Sequence, residues 1–450
     1  MNSKGIKTLD LVGQEPEEMP CRLVIQHYLS EVRYIMRHIG IDLHKKSFTV
    51  AELSPDGSVL CYDVALDILQ SLQEFLGRLH PDDRVAIEAT GNSYFLHGLI
   101  KPLVAEVVLV DPKKVRPIAE SNSKTDKKDA EILARLLMAG LLPGICVPPP
   151  EKRAVRGLLG HRHKLVGEKT SVKNRIHALL GTYGFSSPVS DLFGKEGRNI
   201  IEELKKILPL DAQVELTSCM RLIDFYEEEL GKLERHLTDI ALPDPYVDLL
   251  MTIKGVNVIT ALSISAYIVD IARFPSPKKL AAYAGIVPIV RKSKDHVYYG
   301  PITKEGPPVL RWALVEVVQT LVKEPGDFRN LYRRILRKRG ESAATRSKAL
   351  IACANKLARV IWKMLTEVKP YRAYNSSLYE RKTKKAREVA TPYPHSLDET
   401  WKMKYLSPRL KRPPFLSEVE DPEITRLYAV HGVMQKAKAK RQRKKGRKAA

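Results

Sequence analysis

The chain has 450 residues and carries 75 lysines and arginines against 52 acids, a formal net charge of +23. That length suits two or three domains, and a hydrophobic content of 44% excludes a wholly disordered chain. A surplus this basic points to a polyanionic partner, nucleic acid before a ribosomal or membrane surface. Cys21, Cys61, Cys146, Cys219 and Cys353 form no C-x-x-C pair. Neither a zinc site nor a disulfide framework is therefore expected, which fits a reducing cytoplasm. No apolar run is long enough to span a bilayer and the N-terminus lacks a signal-peptide pattern, so no membrane partner is expected.

Residues 1–36 are polar and weakly patterned, an N-terminal extension. The pattern then changes. Ile39 to His44 reads as a buried strand, Ser47 to Leu53 as a second, Pro55-Asp56-Gly57 as a turn, and Val59 to Val64 as a third strand. A helix near 66–79, a strand from Arg84 to Glu88, a helix near 93–104 and a strand at 106–110 follow. A meander and then alternating strands and helices predict a mixed sheet with helices packed on it, the order of an RNase H-like α/β domain over 37–147. Pro148-Pro149-Pro150 marks a boundary.

Residues 151–245 read as a helical coiled-coil region. The helix from Lys152 to Leu180 holds eight basic residues between 152 and 177 against Glu168, and Leu158, Leu165, Val172 and Leu179 recur every seven. Over 212–241, Cys219, Ile223, Tyr226, Leu230, Leu233, Leu237 and Ile240 alternate spacings of four and three, the seam of a coiled coil or helical hairpin. Packing within the chain and a dimer contact both remain open. Residues 249–366 read as a mostly helical C-terminal domain, closing on two basic helices over 327–366. Residues 367–450 form a basic, partly disordered tail. Nine of the thirteen residues from Lys436 to Lys448 are basic and none is acidic, so that block stays extended until it meets phosphate.

Four acids stand out in the first domain. Asp42 closes an apolar strand and Glu88 closes another. Asp126 and Asp129 sit three apart at a helix start, hence on one face. Carboxylates gathered at the C-terminal edge of neighbouring strands repel one another unless divalent cations lie between them. Mg²⁺ suits such oxygen ligands and the chemistry of phosphodiester cleavage. Each acid also has a plainer reading. Asp126 can cap a helix, Asp129 can favour its first turn, and Glu88 can cap the next helix. An actin-like ATPase also opens with an acid after a buried strand, but no Gly-rich phosphate loop follows here.

Ile39-Gly-Ile-Asp42-Leu-His-Lys45, Ala86-Ile-Glu88-Ala-Thr-Gly91 and Ser123-Lys-Thr-Asp126-Lys-Lys-Asp129-Ala130 resemble the N-terminal domain of the insertion-sequence transposases of the one-hundred-and-ten family. These are the DEDD transposases, with a RuvC-like, RNase H-type domain. On that resemblance Asp42, Glu88, Asp126 and Asp129 are the catalytic, metal-binding tetrad. Ile253-Lys-Gly255-Val-Asn-Val-Ile-Thr260-Ala261 is similar to the glycine turn and helix that open the family's C-terminal serine transposase domain. Such a turn offers backbone N–H groups to a DNA phosphate, although Lys254 and Asn257 stand where the motif has proline and glycine. Leu280-Ala-Ala-Tyr-Ala-Gly285-Ile-Val-Pro288, Arg291-Lys-Ser293-Lys-Asp-His296 and Tyr299-Gly300-Pro-Ile-Thr303-Lys304-Glu-Gly306 resemble the family's signature. Ser293 then takes the place of its nucleophilic serine, with Lys294 where a glycine is usual and His296 where a lysine is usual.

The resemblance covers roughly 37–365. It implies a recombinase that cuts and rejoins strands of donor and target DNA through a phosphoserine link, directed by a noncoding guide RNA. It also implies a homo-oligomer, dimer or tetramer, in the cytoplasm of a prokaryote in association with the nucleoid. Expected nucleic-acid contacts are Arg153, Arg156, Arg162, Lys164, Lys173, Gly255, Lys304, Arg333, Arg334 and Arg337; the basic helical positions read equally as solvated helix faces, and Gly255 as a plain tight turn between helices. The rival readings are a RuvC-like nuclease that resolves branched DNA by hydrolysis, and a nonenzymatic RNA-binding derivative of a transposase.

Overall fold

The computed structural model describes residues 36–115, 125–293 and 296–390. The N-terminal extension and the Lys436–Lys448 block lie outside the described residues. The chain divides into two compact units that part between Val147 and Pro148.

The first unit is built on a five-stranded sheet. Its strands are β1 (His38–Leu43), β2 (Ser47–Leu53), β3 (Val59–Ala65), β4 (Arg84–Glu88) and β5 (Glu106–Val110), in the order β3-β2-β1-β4-β5. β1 pairs antiparallel with β2 and parallel with β4, and β5 continues the parallel side. This mixed α/β architecture is consistent with the RuvC-like fold expected from the sequence. The helices are α1 (Leu69–Gly77), α2 (Ser93–Ile100), the single turn α3 (Pro112–Val115) and α4 (Asp126–Met138). The expected helix at 93–104 stops at Ile100, and a 3₁₀ turn over Lys101–Leu103 carries Pro102. Proline lacks the N–H that would continue the α-helical ladder.

Side chains alternate across a strand, and that alternation sorts the central strands into two faces. Ile39, Ile41 and Leu43 of β1 and Val85 and Ile87 of β4 join the core made with α1 and α2, through Leu72, Phe75, Leu76, Leu96, Leu99 and Ile100. Gly40, Asp42, Ala86 and Glu88 therefore belong to the other face. There Ala86 packs with Leu133 and Leu137 of α4. Gly40 explains how close α4 comes: a Cβ built on it would lie 2.0 Å from the Ala130 carbonyl oxygen and 2.6 Å from the Ala134 nitrogen. The helix rests on bare backbone.

At the opposite end of β1 a charged cluster closes the sheet. The Arg37 guanidinium donates to both carboxylate oxygens of Asp83, at 3.0 and 2.6 Å, and to Glu52 at 2.8 Å. Asp83 is fully buried and also accepts the His80 N–H. The hydrogen bond to Asp83, against the cost of burial, holds the Arg37 guanidinium even more firmly protonated than usual.

The second unit is helical, with one exception. α5 (Pro150–Thr182) and α7 (Leu210–Ala241) run antiparallel, as the ion pairs Lys152–Asp244, Arg162–Glu234 and Lys169–Glu227 require. α6 (Lys195–Ile207), which the sequence reading missed, packs its Ile201 against them. On α5 the buried positions are Val155, Leu159, Leu165, Val172, Ile176 and Leu180. Leu158 and Leu179, two of the four expected heptad positions, are half-buried, because a 3.6-residue turn drifts off a seven-residue repeat.

Val155, Leu159, Leu237 and Ala241 merge into the core of α8 (Pro245–Met251), α9 (Val258–Ile268), α10 (Pro277–Tyr283), α11 (Pro308–Leu321), α12 (Asp327–Arg339) and α13 (Ala343–Glu367). Between α10 and α11 stands the exception, a two-stranded ribbon of β6 (Pro288–Ser293) and β7 (His296–Ile302). Within the expected tail, Ser376–Val389 forms a helix, α14. Tyr379 bonds to the Asp248 carboxylate, and the Lys382 ammonium donates to the Met251 and Ile253 carbonyls at 2.8 and 2.7 Å. These docked groups, rather than local pattern, account for order there.

Candidate active site

Asp42 ends the apolar run of β1 and is buried. Ile41 pairs with Ile87 in the parallel ladder, so Glu88 stands at the same level on the neighbouring strand and is half-buried. The segment after β4 returns to brace the turn after β1. The Thr90 hydroxyl donates to the Leu43 carbonyl at 3.4 Å, and the Asn92 side-chain amide donates to the Lys45 carbonyl at 3.0 Å. The first turn of α4 faces this edge. Thr125 is its N-cap and accepts the Lys128 N–H at 3.3 Å. Asp126 and Asp129 fill that first turn, where the positive end of the helix dipole favours anionic side chains. Asp126 is exposed and Asp129 half-buried.

A histidine joins these acids. His44 lies between the acids, with Nε2 3.6 Å from Asp42 Oδ2 and 3.1 Å from Asp126 Oδ2. One ligand atom from each of Asp42, His44 and Asp126 lies within 4.8 Å of the others. The signal was present in sequence, as an imidazole two residues past Asp42 on the same strand-end face. Two carboxylate oxygens and an imidazole nitrogen around one point are a donor set that fits a divalent cation. Glu88 sits at the adjacent strand end, and Asp129 lies one turn along α4 on the side of Asp126. The four acids chosen from sequence thus come from two strand ends and one helix turn of a single unit.

Ser293 is in the second unit, at the end of β6, and is exposed. It lies in a two-stranded ribbon, paired with His296, and Arg291 pairs with Tyr298. Two glycines anchor its root. Gly285 and Gly306 have positive φ, and a Cβ on Gly306 would come 1.9 Å from the Tyr283 carbonyl oxygen. The Thr303 N–H donates to the Val287 carbonyl at 2.9 Å. Lys304, exposed, also has positive φ.

The expected nucleic-acid residues divide. Arg156 donates to the carbonyls of Ala266 and Tyr267 and lies over the Tyr267 ring, while Arg162 pairs with Glu234 at 2.6 Å. Both hold the helices of the second unit together. Lys173 lies over the Phe193 ring, and Arg153 is half-buried. Lys164, Arg333, Arg334 and Arg337 are exposed. Gly255 turns with positive φ just before α9, whose N-cap is Asn257, and a Cβ built on it would lie 2.8 Å from Thr320 Cβ. Among the described residues, no helix is long and apolar enough to cross a membrane.

A model of the IS110-type DEDD transposases, described as "Transposase", matches residues 39–185. A second, described as "Transposase IS116/IS110/IS902 family", matches residues 247–333. The two together take in more than half of the chain, and the chain belongs to the IS110/IS116 family of DEDD transposases. It is similar to the transposase for insertion sequence element IS1111A of Coxiella burnetii, 29% identical over 300 residues, which are 64% of this chain and 79% of the relative. It is also similar to the probable family 20 transposase of Pseudomonas aeruginosa, 25% identical over 75% of this chain and 99% of the relative. The transposase for IS1328 of Yersinia enterocolitica is 28% identical over 73% of this chain and 96% of the relative. Membership implies DNA cleavage and recombination, and a metal-dependent acidic centre.

Proposed function

We propose that this transposase cuts and rejoins DNA strands with Asp42, Glu88, Asp126 and Asp129 as a Mg²⁺-binding tetrad and Ser293 as the nucleophile. The observation that carries the reading is the meeting of Asp42, His44 and Asp126 at the edge where β1 and β4 end. Asp42 and Asp126 would hold the ion, with Glu88 and Asp129 beside them and His44 as a further ligand or as the group that orients the two carboxylates. Bound there, Mg²⁺ supplies charge stabilisation for the scissile phosphate. Ser293 attacks a DNA phosphate and displaces a deoxyribose oxygen, and the strand stays linked to the protein until a second strand displaces it.

In this reading a noncoding RNA encoded by the element pairs with donor and target DNA, so that base pairing reads sequence and the protein reads backbone. Lys164, Lys304, Arg333, Arg334 and Arg337 are the phosphate contacts that the exposed surface favours. The protein works as a homo-oligomer, and α5 and α7 serve as an antiparallel coiled-coil spacer.

The test is recombination between supercoiled donor and target plasmids by purified protein with the RNA transcribed from the element's flank. Asp42→Ala and Ser293→Ala should each abolish product. Full recombination by Ser293→Ala would overturn the serine mechanism in favour of direct hydrolysis.

A further inference from the structure

Pairing in the β6–β7 ribbon sets Ser293 directly opposite His296, and Arg291 directly opposite Tyr298. Directly paired residues share a face of a two-stranded sheet, and residues two apart on a strand share it as well. One face of the ribbon therefore carries a hydroxyl, an imidazole, a guanidinium and a phenol in a two-by-two array. All four residues are exposed, Tyr298 to 64%. Paired Cβ atoms in such ladders stand about 5 Å apart, within reach of a serine–imidazole hydrogen bond. This array is a property of register, since a slip by one residue would put His296 on the other face.

We infer that His296 is the general base for Ser293 and that Arg291 holds the phosphate under attack. The inference rests on Ser293 being the nucleophile. A serine hydroxyl needs a base to accept its proton, and here the facing strand presents one. In the step, the Ser293 Oγ–P bond forms as its proton passes to an imidazole nitrogen of His296. The bond from phosphorus to the departing deoxyribose oxygen breaks, and that oxygen takes a proton from water. The guanidinium of Arg291, two residues before Ser293, offers paired N–H donors to the non-bridging oxygens. Among the described residues, the other charged or titratable group on this face is the Tyr298 phenol.

The experiment measures covalent protein–DNA adduct on a labelled supercoiled plasmid that carries the element with its flanks, using the full chain and its flanking RNA from pH 5.5 to 9. Wild type should form adduct at a rate that falls as pH drops and the base becomes protonated. His296→Gln should form adduct about a hundredfold more slowly and lose that pH limb. His296→Gly should regain adduct when imidazole is added. Ser293→Ala separates the two ideas: adduct that persists in it removes the serine nucleophile and this inference together. If Ser293→Ala abolishes adduct while His296→Gln keeps the wild-type rate and pH limb, the nucleophile stands and the base assignment is wrong. His296→Gln with a lowered rate but an unchanged pH limb, and no imidazole rescue in His296→Gly, likewise overturns the base role.

Discussion

Gly40 of β1 and Ala130 of α4 meet backbone to backbone, with no room for a single carbon between them. Gly40 is two residues before Asp42 on one strand face, and Ala130 directly follows Asp129. The spacing of the acidic site is thus set by a contact in which neither residue contributes a functional group. Gly40→Ala should displace α4 and destabilise the protein by about 1–3 kcal/mol, the usual cost of overpacking. Metal affinity should fall further than stability does. Thermal melts with and without Mn²⁺ measure both, and a variant with a wild-type metal response would separate the site from this contact.

The acidic edge should answer to divalent ions. An ion that binds only the folded chain stabilises it by about 2.7 kcal/mol at a hundred times its dissociation constant. Addition of Mg²⁺ or Mn²⁺ should therefore raise the melting temperature, and Asp42→Asn or Asp126→Asn should remove most of the rise. His44→Ala should reduce it as well, since Nε2 stands 3.1 Å from Asp126. An undiminished rise in all three variants would place the ion elsewhere.

At the other end of β1, Asp83 is fully buried against Arg37. Removing one member of such a pair leaves the other charge uncompensated, at about 3–5 kcal/mol for a buried pair. Arg37 keeps some solvent contact, so Arg37→Met should cost near the lower end, about 3 kcal/mol. Urea unfolding followed by circular dichroism reads the loss, and metal-induced stabilisation should survive it in the folded fraction.

Lys382 gives a pH signature. Burial lowers its ammonium to about 8. The unfolded chain then binds more protons between about 8 and the ordinary lysine value of 10.5, so this group makes stability rise with pH across that window. Below pH 8 both states are protonated and the group adds no slope. Lys382→Met should flatten that rise in a pH series of unfolding curves, and an unchanged slope in the variant would assign the dependence to another group.

The sheet was legible because its strands are short apolar runs divided by plain turn signals, and because Asp42 and Glu88 each interrupt such a run at its end. His44 escaped notice because its role depends on Asp126, more than eighty residues away in sequence. The ribbon escaped for a different reason. Val290, Val297, Tyr298 and Tyr299 are all exposed, so inward and outward positions do not alternate in polarity. α14 has the composition of a solvated basic segment, and its docking depends on Asp248 and on the carbonyls of Met251 and Ile253. Arg156 and Arg162 look like phosphate ligands in sequence, because nothing local announces that Ala266, Tyr267 and Glu234 will lie beside them.

The strand order has a consequence for how the protein is made. β1 is the first strand of the sheet to leave the ribosome, yet its parallel neighbour β4 begins only at Arg84 and its covering helix α4 only at Asp126. Contacts this distant in sequence are slow to form, since closing the intervening loop costs chain entropy. A nascent or truncated product that stops short of α4 holds Asp42 and Glu88 without the helix that completes the centre. On the proposed assignment, an interrupted translation product would therefore lack Asp126 and Asp129, two of the four carboxylates, and should be inactive.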